Sequence, residues 1–348
     1  MPKIVYLDAF PAPNAHDILA ERPELEIIKI TSAMPTEDAF AILKEAHAYQ
    51  HIPARDEVPK PLWVHADLLK RCPNLLVVSS SGSGADTIDI DACTEAGVLV
   101  VNQAGGNAEA VAEHSMAMIL SLLKRIGESD RLLRRGWTGA RTDLLGRNLE
   151  GRTVGIIGLG YIGRRVAAIC KDVFGCRVLA FDPYLSLEEI VSRKAEPMTT
   201  LGDLLAEAEV LTIHCPLTRE TAGMIGAAEL SKLPDQALIV STARGGIIDE
   251  PALEDALRSG RIAGAGLDVW EREPPAADHP LLAFDTVIAS PHTAGVSIDS
   301  RQNMARYAAT QLIDLFDARP PARPLNPEVA ERYRARFKEI LDREPEVF

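Results

Sequence analysis

The stretch 153–163, reading Thr-Val-Gly-Ile-Ile-Gly-Leu-Gly-Tyr-Ile-Gly, limits what this chain can fold into more than any other. A short apolar run ends in Gly158-x-Gly160-x-x-Gly163, and Ile162, Val166, Ile169, Cys170 and Val173 then recur every three to four residues. That pattern is a strand, a tight turn and a helix. Gly158 makes the turn, Gly160 lets backbone approach a pyrophosphate, and Gly163 lets the helix press on the sheet. The helix N-terminus offers free N–H groups and positive partial charge to a diphosphate. A second apolar run, 177–181, ends at Asp182, about twenty residues past the last glycine, where a carboxylate suits a ribose diol. Together these features predict a dinucleotide site.

The rest of the chain supplies a frame for such a site. Strand-like runs at 4–7, 25–30, 75–79 and 98–101 alternate with helical stretches at 14–21, 36–45, 65–71 and 91–96. Short strands alternating with helices imply a parallel sheet covered on both faces. Residues 51–61 are rich in proline and charge and read as a loop. A long helix over 107–126 is apolar nearly all round and should be buried. Residues 127–150 then place Arg131, Arg134, Arg135, Arg141 and Arg147 around Trp137, an irregular basic stretch that is either a solvated face or an arm against a second subunit.

From Gly151 a second series begins, with strands at 153–157, 177–181, 209–213, 237–241, 263–267 and 286–289. Six strands with intervening helices fill a Rossmann domain. The amphipathic stretch 297–316 most economically returns to the first domain, because too little chain follows His292 for a typical third one. The expected fold class is therefore α/β, with two doubly wound parallel-sheet domains. A Rossmann coenzyme domain over 103–296 is inserted into a discontinuous, flavodoxin-like substrate domain made of 1–102 and 297–348.

Composition narrows the partners. A net charge of −13 disfavours nucleic acid and anionic membrane, so any anion site has to be built locally. The five cysteines are scattered and show no zinc-site spacing, so no metal is expected and they read as free thiols in a reducing compartment. The N-terminus lacks the regions of a signal peptide, and the most apolar helical stretch, 116–123, is far shorter than a membrane span. The cytoplasm is the expected location.

In an open α/β sheet, ligands bind at the carboxyl ends of the strands, and three segments there carry reactive groups. Arg244 lies in the glycine-softened turn 241–249, Asp268 and Glu273 lie in 266–275, and His292 follows the last strand. A guanidinium can hold a planar carboxylate and polarise a neighbouring carbonyl. Histidine moves protons near neutral pH, and a carboxylate on its far ring nitrogen would raise its pKa. Taken alone, an Arg at a strand end is more often a surface ion pair and a His more often a structural side chain.

Taken with the glycine turn, these segments resemble the D-isomer-specific 2-hydroxyacid dehydrogenase family. The likeness covers about 75–327 and rests on Ser83-Gly-Ala-Asp-Thr-Ile-Asp89 with Ala110-Val-Ala-Glu-His114, on Gly158–Gly163, on His214-Cys-Pro-Leu-Thr218, on the Arg244 turn, and on the Glu273 and His292 segments. The resemblance implies that Arg244, Glu273 and His292 are catalytic, and that Ser83 and Gly84, with Arg244, bind the substrate carboxylate. It implies cofactor contacts at Gly158, Gly160, Tyr161, Ile162, Gly163, Asp182, His214, Pro216, Thr221, Thr242 and Asp268. No Arg or Lys lies in 183–187, so NAD is expected over NADP.

The implied reaction is reversible hydride transfer between NADH and the C2 carbonyl of a small 2-oxo acid such as glyoxylate or hydroxypyruvate. Arg55, in the proline-rich loop, keeps 3-phosphoglycerate oxidation as an alternative, and the family's fold also serves as a corepressor-like NAD(H)-sensing binding protein. Homodimerisation through 102–150 is a further expectation from the family. Residues 46–64 do not follow the family pattern.

Overall fold

The computed structural model describes residues 1–346 and divides into two units, Met1–Asn107 with the chain from Val296 onward, and Ala108–Gly295. In the first unit, β1 (Lys3–Leu7), β2 (Glu26–Ile30), β3 (Ala48–His51), β4 (Val77–Ser80) and β5 (Leu99–Val101) form a wholly parallel sheet in the order β2-β1-β3-β4-β5. This is the flavodoxin-like order. Because strand side chains alternate, Val5, Leu7, Tyr49, Val78 and Val100 face one layer of helices, while Ile4, Ala48, Val77 and Leu99 face another. The second layer includes Ala305, Ala308, Leu312 and Leu315 of the helix Ile298–Phe316, which Ser297 caps by accepting the Ser300 N–H at 3.0 Å.

The central strand β3 is the element that the sequence pattern hides. Four strands were expected from hydrophobic runs, and His51 was assigned to a loop, whereas it ends a fifth strand in the middle of the sheet. Two of the four residues of β3 are polar, yet Gln50 and His51 are both buried. Side chains replace water there: Gln50 Nε2 donates to Ser81 Oγ at 3.0 Å, and His51 Nε2 lies 2.9 Å from Thr87 Oγ1. Hydrophobic periodicity cannot register a strand whose burial is met by hydrogen bonds.

The second unit carries β6 (Thr153–Ile157), β7 (Arg177–Phe181), β8 (Glu196–Pro197), β9 (Val210–Ile213), β10 (Ala237–Ser241), β11 (Ile262–Leu267) and β12 (Val287–Ala289). All pair in parallel in the order β12-β11-β10-β9-β6-β7-β8. Six of these were expected; β8 is a two-residue edge strand too short to leave a pattern. Strand order reverses between β6 and β9, the switch point at which such sheets bind ligands. Helices Ala108–Leu123 and Tyr161–Asp172 cover the face bearing Val154, Ile156, Val178 and Val240.

The region after the first of these helices differs from expectation. The helix ends at Leu123 rather than continuing to 126, because Arg125 adopts a left-handed conformation (φ 53). Residues 127–150 were read as irregular, but Ile126–Arg134 forms a second helix and Arg141–Leu144 a 3₁₀ turn. Charged spacing explains the helix: Arg125 pairs with Glu128 at 2.6 Å and Arg134 with Asp130 at 2.8 Å, the i,i+3 and i,i+4 separations that favour helical backbone. Among the described residues, no helix is long and apolar enough to cross a membrane.

The glycine turn is fixed by contact. Gly158 sits at φ +83, with the backbone of His214 and Cys215 where a Cβ would go, and a Cβ on Gly163 would collide with the Gly158 carbonyl oxygen. Gly163→Ala should therefore lower stability by about 2 kcal/mol through overpacking. The thermal midpoint of the variant should fall by roughly 5 °C. An unchanged melting curve would show that the turn relaxes freely.

Candidate active site

Three neighbouring strands bring the candidate residues together. Since β10, β11 and β12 lie side by side and parallel, the segments leaving their carboxyl ends are adjacent. Asp268 N–H donates to Ser241 O at 3.0 Å and Ser290 N–H to Leu267 O at 2.9 Å, extending the ladder one step beyond the strands. Arg244, Asp268 and His292 follow within a few residues.

His292 stands 2.8 Å through Nδ1 from Glu273 Oε2. The other Glu273 oxygen, Oε1, accepts the Trp270 N–H at 3.1 Å, which closes a short turn and fixes the carboxylate. With a carboxylate on Nδ1, that nitrogen carries a proton, and Nε2 is the ring position that gains or loses one. Arg244 Nη1 donates to its neighbour's carbonyl, Ala243 O, at 2.7 Å, and its charge acts on both Glu273 and His292.

The electrostatics follow from this arrangement. The hydrogen bond from Glu273 raises the His292 pKa above the usual imidazole range, outweighing burial and the repulsion of Arg244. Burial pushes the Glu273 carboxyl up, but the His292 bond and charge, the Trp270 N–H and Arg244 together hold it net below its ordinary value. The His292 side chain remains 43% exposed, so its proton can be exchanged.

His292 also adopts a left-handed backbone (φ 54), a conformation that a bulky residue rarely takes. Asp268 holds it there. The Asp268 carbonyl accepts the His292 N–H at 2.7 Å, while Oδ1 accepts Ser290 Oγ–H at 2.6 Å and Thr293 N–H at 2.8 Å, and Oδ2 accepts Ala294 N–H at 2.9 Å. Asp268, expected as a cofactor contact, is fully buried and occupied in shaping the histidine loop.

The nucleotide side is built around Gly158–Gly163. Asp182, one residue past β7, accepts the Leu159 N–H through Oδ2 at 2.9 Å and the Tyr184 N–H through Oδ1 at 3.1 Å, which ties the acid to the glycine turn. A Cβ on Gly160 would meet nothing of the protein, so that position leaves backbone open to a ligand. Ile162 is half-buried, and Tyr161 lies exposed under the Arg164 guanidinium, 4.6 Å from its ring centre. Arg193, outside the 183–187 stretch, donates to Leu159 O at 2.8 Å. The glycines, the open backbone and the placed acid suit a dinucleotide.

Further along the sheet, His214 Nε2 lies 2.9 Å from Thr212 Oγ1, and burial pulls its pKa down to about 3, so it is neutral at neutral pH. Thr221 Oγ1 donates to Pro216 O at 2.7 Å and closes the 216–221 loop. Thr242 Oγ1 lies 3.0 Å from Ser115 Oγ. Ser83 and Gly84 belong to the first unit, where Ser83 Oγ donates to Asn107 Oδ1 at 3.0 Å and Gly84 O accepts Ser80 Oγ–H at 2.5 Å. Arg55 Nε donates to Asp86 O at 3.2 Å, close in sequence to that loop. Among the described residues, no cluster of His, Cys, Asp and Glu could hold a metal ion.

Sequence reasoning assigned no role to His114, Ser115 or Ser290. His114 Nε2 lies 3.0 Å from Ser290 Oγ, and Ser115 meets Thr242. The available signal was the polar run Glu113-His114-Ser115 in the middle of a largely apolar helix.

Comparison with known proteins identifies the family. Residues 116–294 match the family model described as D-isomer specific 2-hydroxyacid dehydrogenase, NAD binding domain. A glyoxylate reductase from Aeropyrum pernix is 37% identical over 326 residues, covering 92% of this chain and 94% of that protein. A D-3-phosphoglycerate dehydrogenase from Archaeoglobus fulgidus is 35% identical over 86% of this chain, which spans only 55% of that protein's length. Among solved structures, D-lactate dehydrogenase from Aquifex aeolicus, complexed with NAD and lactic acid, has a TM-score of 0.76 at 28% identity, covering 90% of this chain and 95% of that one.

Because Glu273 is the main cause of the raised His292 pKa and burial and Arg244 both oppose it, Glu273→Gln should bring the imidazole titration, followed by NMR, down to the ordinary histidine range or below it. A titration that stays in place would assign the shift to another group.

Proposed function

The chain belongs to the D-isomer-specific 2-hydroxyacid dehydrogenase family, and from that premise we propose that it is an NAD-dependent oxidoreductase that interconverts a small 2-oxo acid and its D-2-hydroxy acid. Glyoxylate and hydroxypyruvate are the substrates of choice. The observation that carries this reading is the 2.8 Å contact of His292 with Glu273, placed within the field of Arg244.

Bound NADH would supply the hydride that reaches C2. Arg244 binds the substrate carboxylate and polarises the C2 carbonyl; Ser83 and Gly84, in the first unit, are separate candidates for holding an anionic group. His292 Nε2 delivers a proton to the carbonyl oxygen as it gains negative charge. Glu273 accepts from Nδ1, which keeps the ring protonated beforehand and stabilises its orientation afterwards. In the oxidation direction the neutral ring withdraws the hydroxyl proton through the same nitrogen. Reduction therefore weakens as pH rises through the raised His292 pKa, and oxidation strengthens there.

Asp182 supports NAD over NADP. Its carboxylate would repel a 2′-phosphate, and Tyr184 bonds a second acid, Glu220, at 2.5 Å. A second reading, oxidation of 3-phosphoglycerate, draws on Arg55, whose anchorage to Asp86 O sets a guanidinium beside the Ser83–Gly84 loop. Homodimerisation is supported by exposed apolar side chains at Ile126, Leu133 and Leu145, and a reducing, cytoplasmic setting by five free cysteines.

Turnover of glyoxylate, hydroxypyruvate, pyruvate, phenylpyruvate and 2-oxoglutarate with NADH tests the assignment, with 3-phosphoglycerate and NAD run in reverse. His292→Ala should reduce kcat by roughly 10² to 10⁴ while retaining NADH affinity, as expected for loss of a general acid. Undiminished turnover in that variant would remove His292 from the chemistry, and activity with 3-phosphoglycerate alone would replace the preferred substrate class. A monomeric mass by light scattering would rule out the dimer.

A further inference from the structure

We propose that His114 and Ser115, adjacent residues on the helix Ala108–Leu123, are positioning residues that hold the Arg244 turn and the His292 loop in mutual register. His114 acts on the His292 loop through Ser290 and Asp268, and Ser115 acts on the Arg244 turn through Thr242. The inference rests on the proposed roles of Arg244 and His292 and adds a source for their precision.

The hydrogen bonds fix the direction of the chain from His114. Ser290 Oγ is 2.6 Å from Asp268 Oδ1, a carboxylate oxygen that can only accept, so the serine spends its one proton there. Ser290 Oγ must then accept from His114 Nε2 at 3.0 Å, which places a proton on that nitrogen. His114 thus completes the coordination of the hydroxyl that, with Asp268, shapes the left-handed His292. On the other branch, Ser115 Oγ donates to Val111 O at 2.8 Å and so accepts from Thr242 Oγ1 at 3.0 Å.

The two contacts are arranged alike. Thr242 lies two residues before Arg244, and Ser290 two residues before His292. Consecutive helix residues therefore touch the exits of β10 and β12, with β11 between them. The helix can approach because a Cβ on Gly266 of β11 would stand only 3.0 Å from Met118 Cβ. Ser115 is fully buried, and the His114 side chain is 29% exposed. Neither touches His292 or Arg244 in any described hydrogen bond, so both act at one remove.

The charged groups facing His292 are Glu273, Arg244 and Asp268; His114 faces Asp268 at 3.9 Å. Loosening the His292 loop weakens its alignment with Glu273, which is what keeps the ring protonated. In the full-length protein, His114→Leu should lower kcat for 2-oxo acid reduction roughly ten- to hundredfold, with little change in KM, as misplacement of a reacting group does. It should also move the alkaline limb of the pH profile to lower pH. His114→Gln, whose amide can donate to Ser290 Oγ, should recover both. Should His114→Leu fail to fold, Ser290→Ala breaks the same link with His114 in place and should move the limb in the same direction.

Wild-type kcat and pH profile in His114→Leu would overturn the proposal. Equal losses in the Leu and Gln variants with an unmoved limb would do so too, leaving a packing role. The His292 imidazole titration, read by NMR, separates this inference from the proposed activity. An inactive wild-type protein defeats the dehydrogenase reading, while a His292 titration that moves down in His114→Leu and returns in His114→Gln still supports the register.

Discussion

The candidate site depends on the buried carboxylate of Asp268. A carboxylate removed from water without hydrogen-bond partners costs several kcal/mol, so its place at the end of β11 obliges neighbouring chain to supply donors. They come from one short segment: the Ser290 hydroxyl and the N–H groups of Thr293 and Ala294. Presenting two successive N–H groups to one side chain bends the backbone sharply, and His292, just before them, takes the left-handed conformation that results. The backbone of His292 is thus held by the need to satisfy Asp268, and the loop that results carries the imidazole.

Everything else near the site repeats this division of labour. Glu273 reaches His292 because Trp270, buried in the core, donates its N–H to one oxygen of Glu273 and its indole N–H to Ser290 O at 3.0 Å. Asp182 meets the glycine turn because Leu159 N–H is turned toward it, and the turn has that shape only because Gly158 can take a positive φ. The candidate groups lie on the exits of parallel strands, and buried partners beside them set their directions.

The sequence shows the candidate reactive groups more clearly than the side chains that hold them. The glycine turn, Asp182, Arg244, Glu273 and His292 are legible because each belongs to a pattern with a chemical reason, and most strands are legible because a parallel sheet buries continuous apolar runs. Strand β3 escaped because it buries the polar residues Gln50 and His51, each with one nitrogen bonded to Ser81 or Thr87, partners some thirty residues away that no local pattern announces. The helix Ile126–Arg134 escaped for the opposite reason, having no buried residue and therefore no apolar stripe, only charges at helical spacing. His114 and Ser290 illustrate the same limit. Their pairing spans much of the second unit, and either residue alone reads as an ordinary polar side chain.

His292 is the point at which these constraints become chemistry. A group that gives a proton in one direction and takes it in the other works best with a pKa near the working pH. Free imidazole is close to that value, but burial alone would pull it down and leave the ring neutral, unable to protonate a developing alkoxide. Glu273 opposes burial, whereas Arg244, the proposed holder of the substrate carboxylate, works in the same direction as burial. Glu273 therefore offsets two effects at once, burial first and the neighbouring guanidinium of Arg244 second: without a carboxylate on Nδ1, both would draw the proton off the imidazole. In the proposed reaction an anionic substrate would shift the balance once more, since its carboxylate would offset part of the Arg244 charge and let His292 hold its proton more firmly when there is an oxygen to receive it.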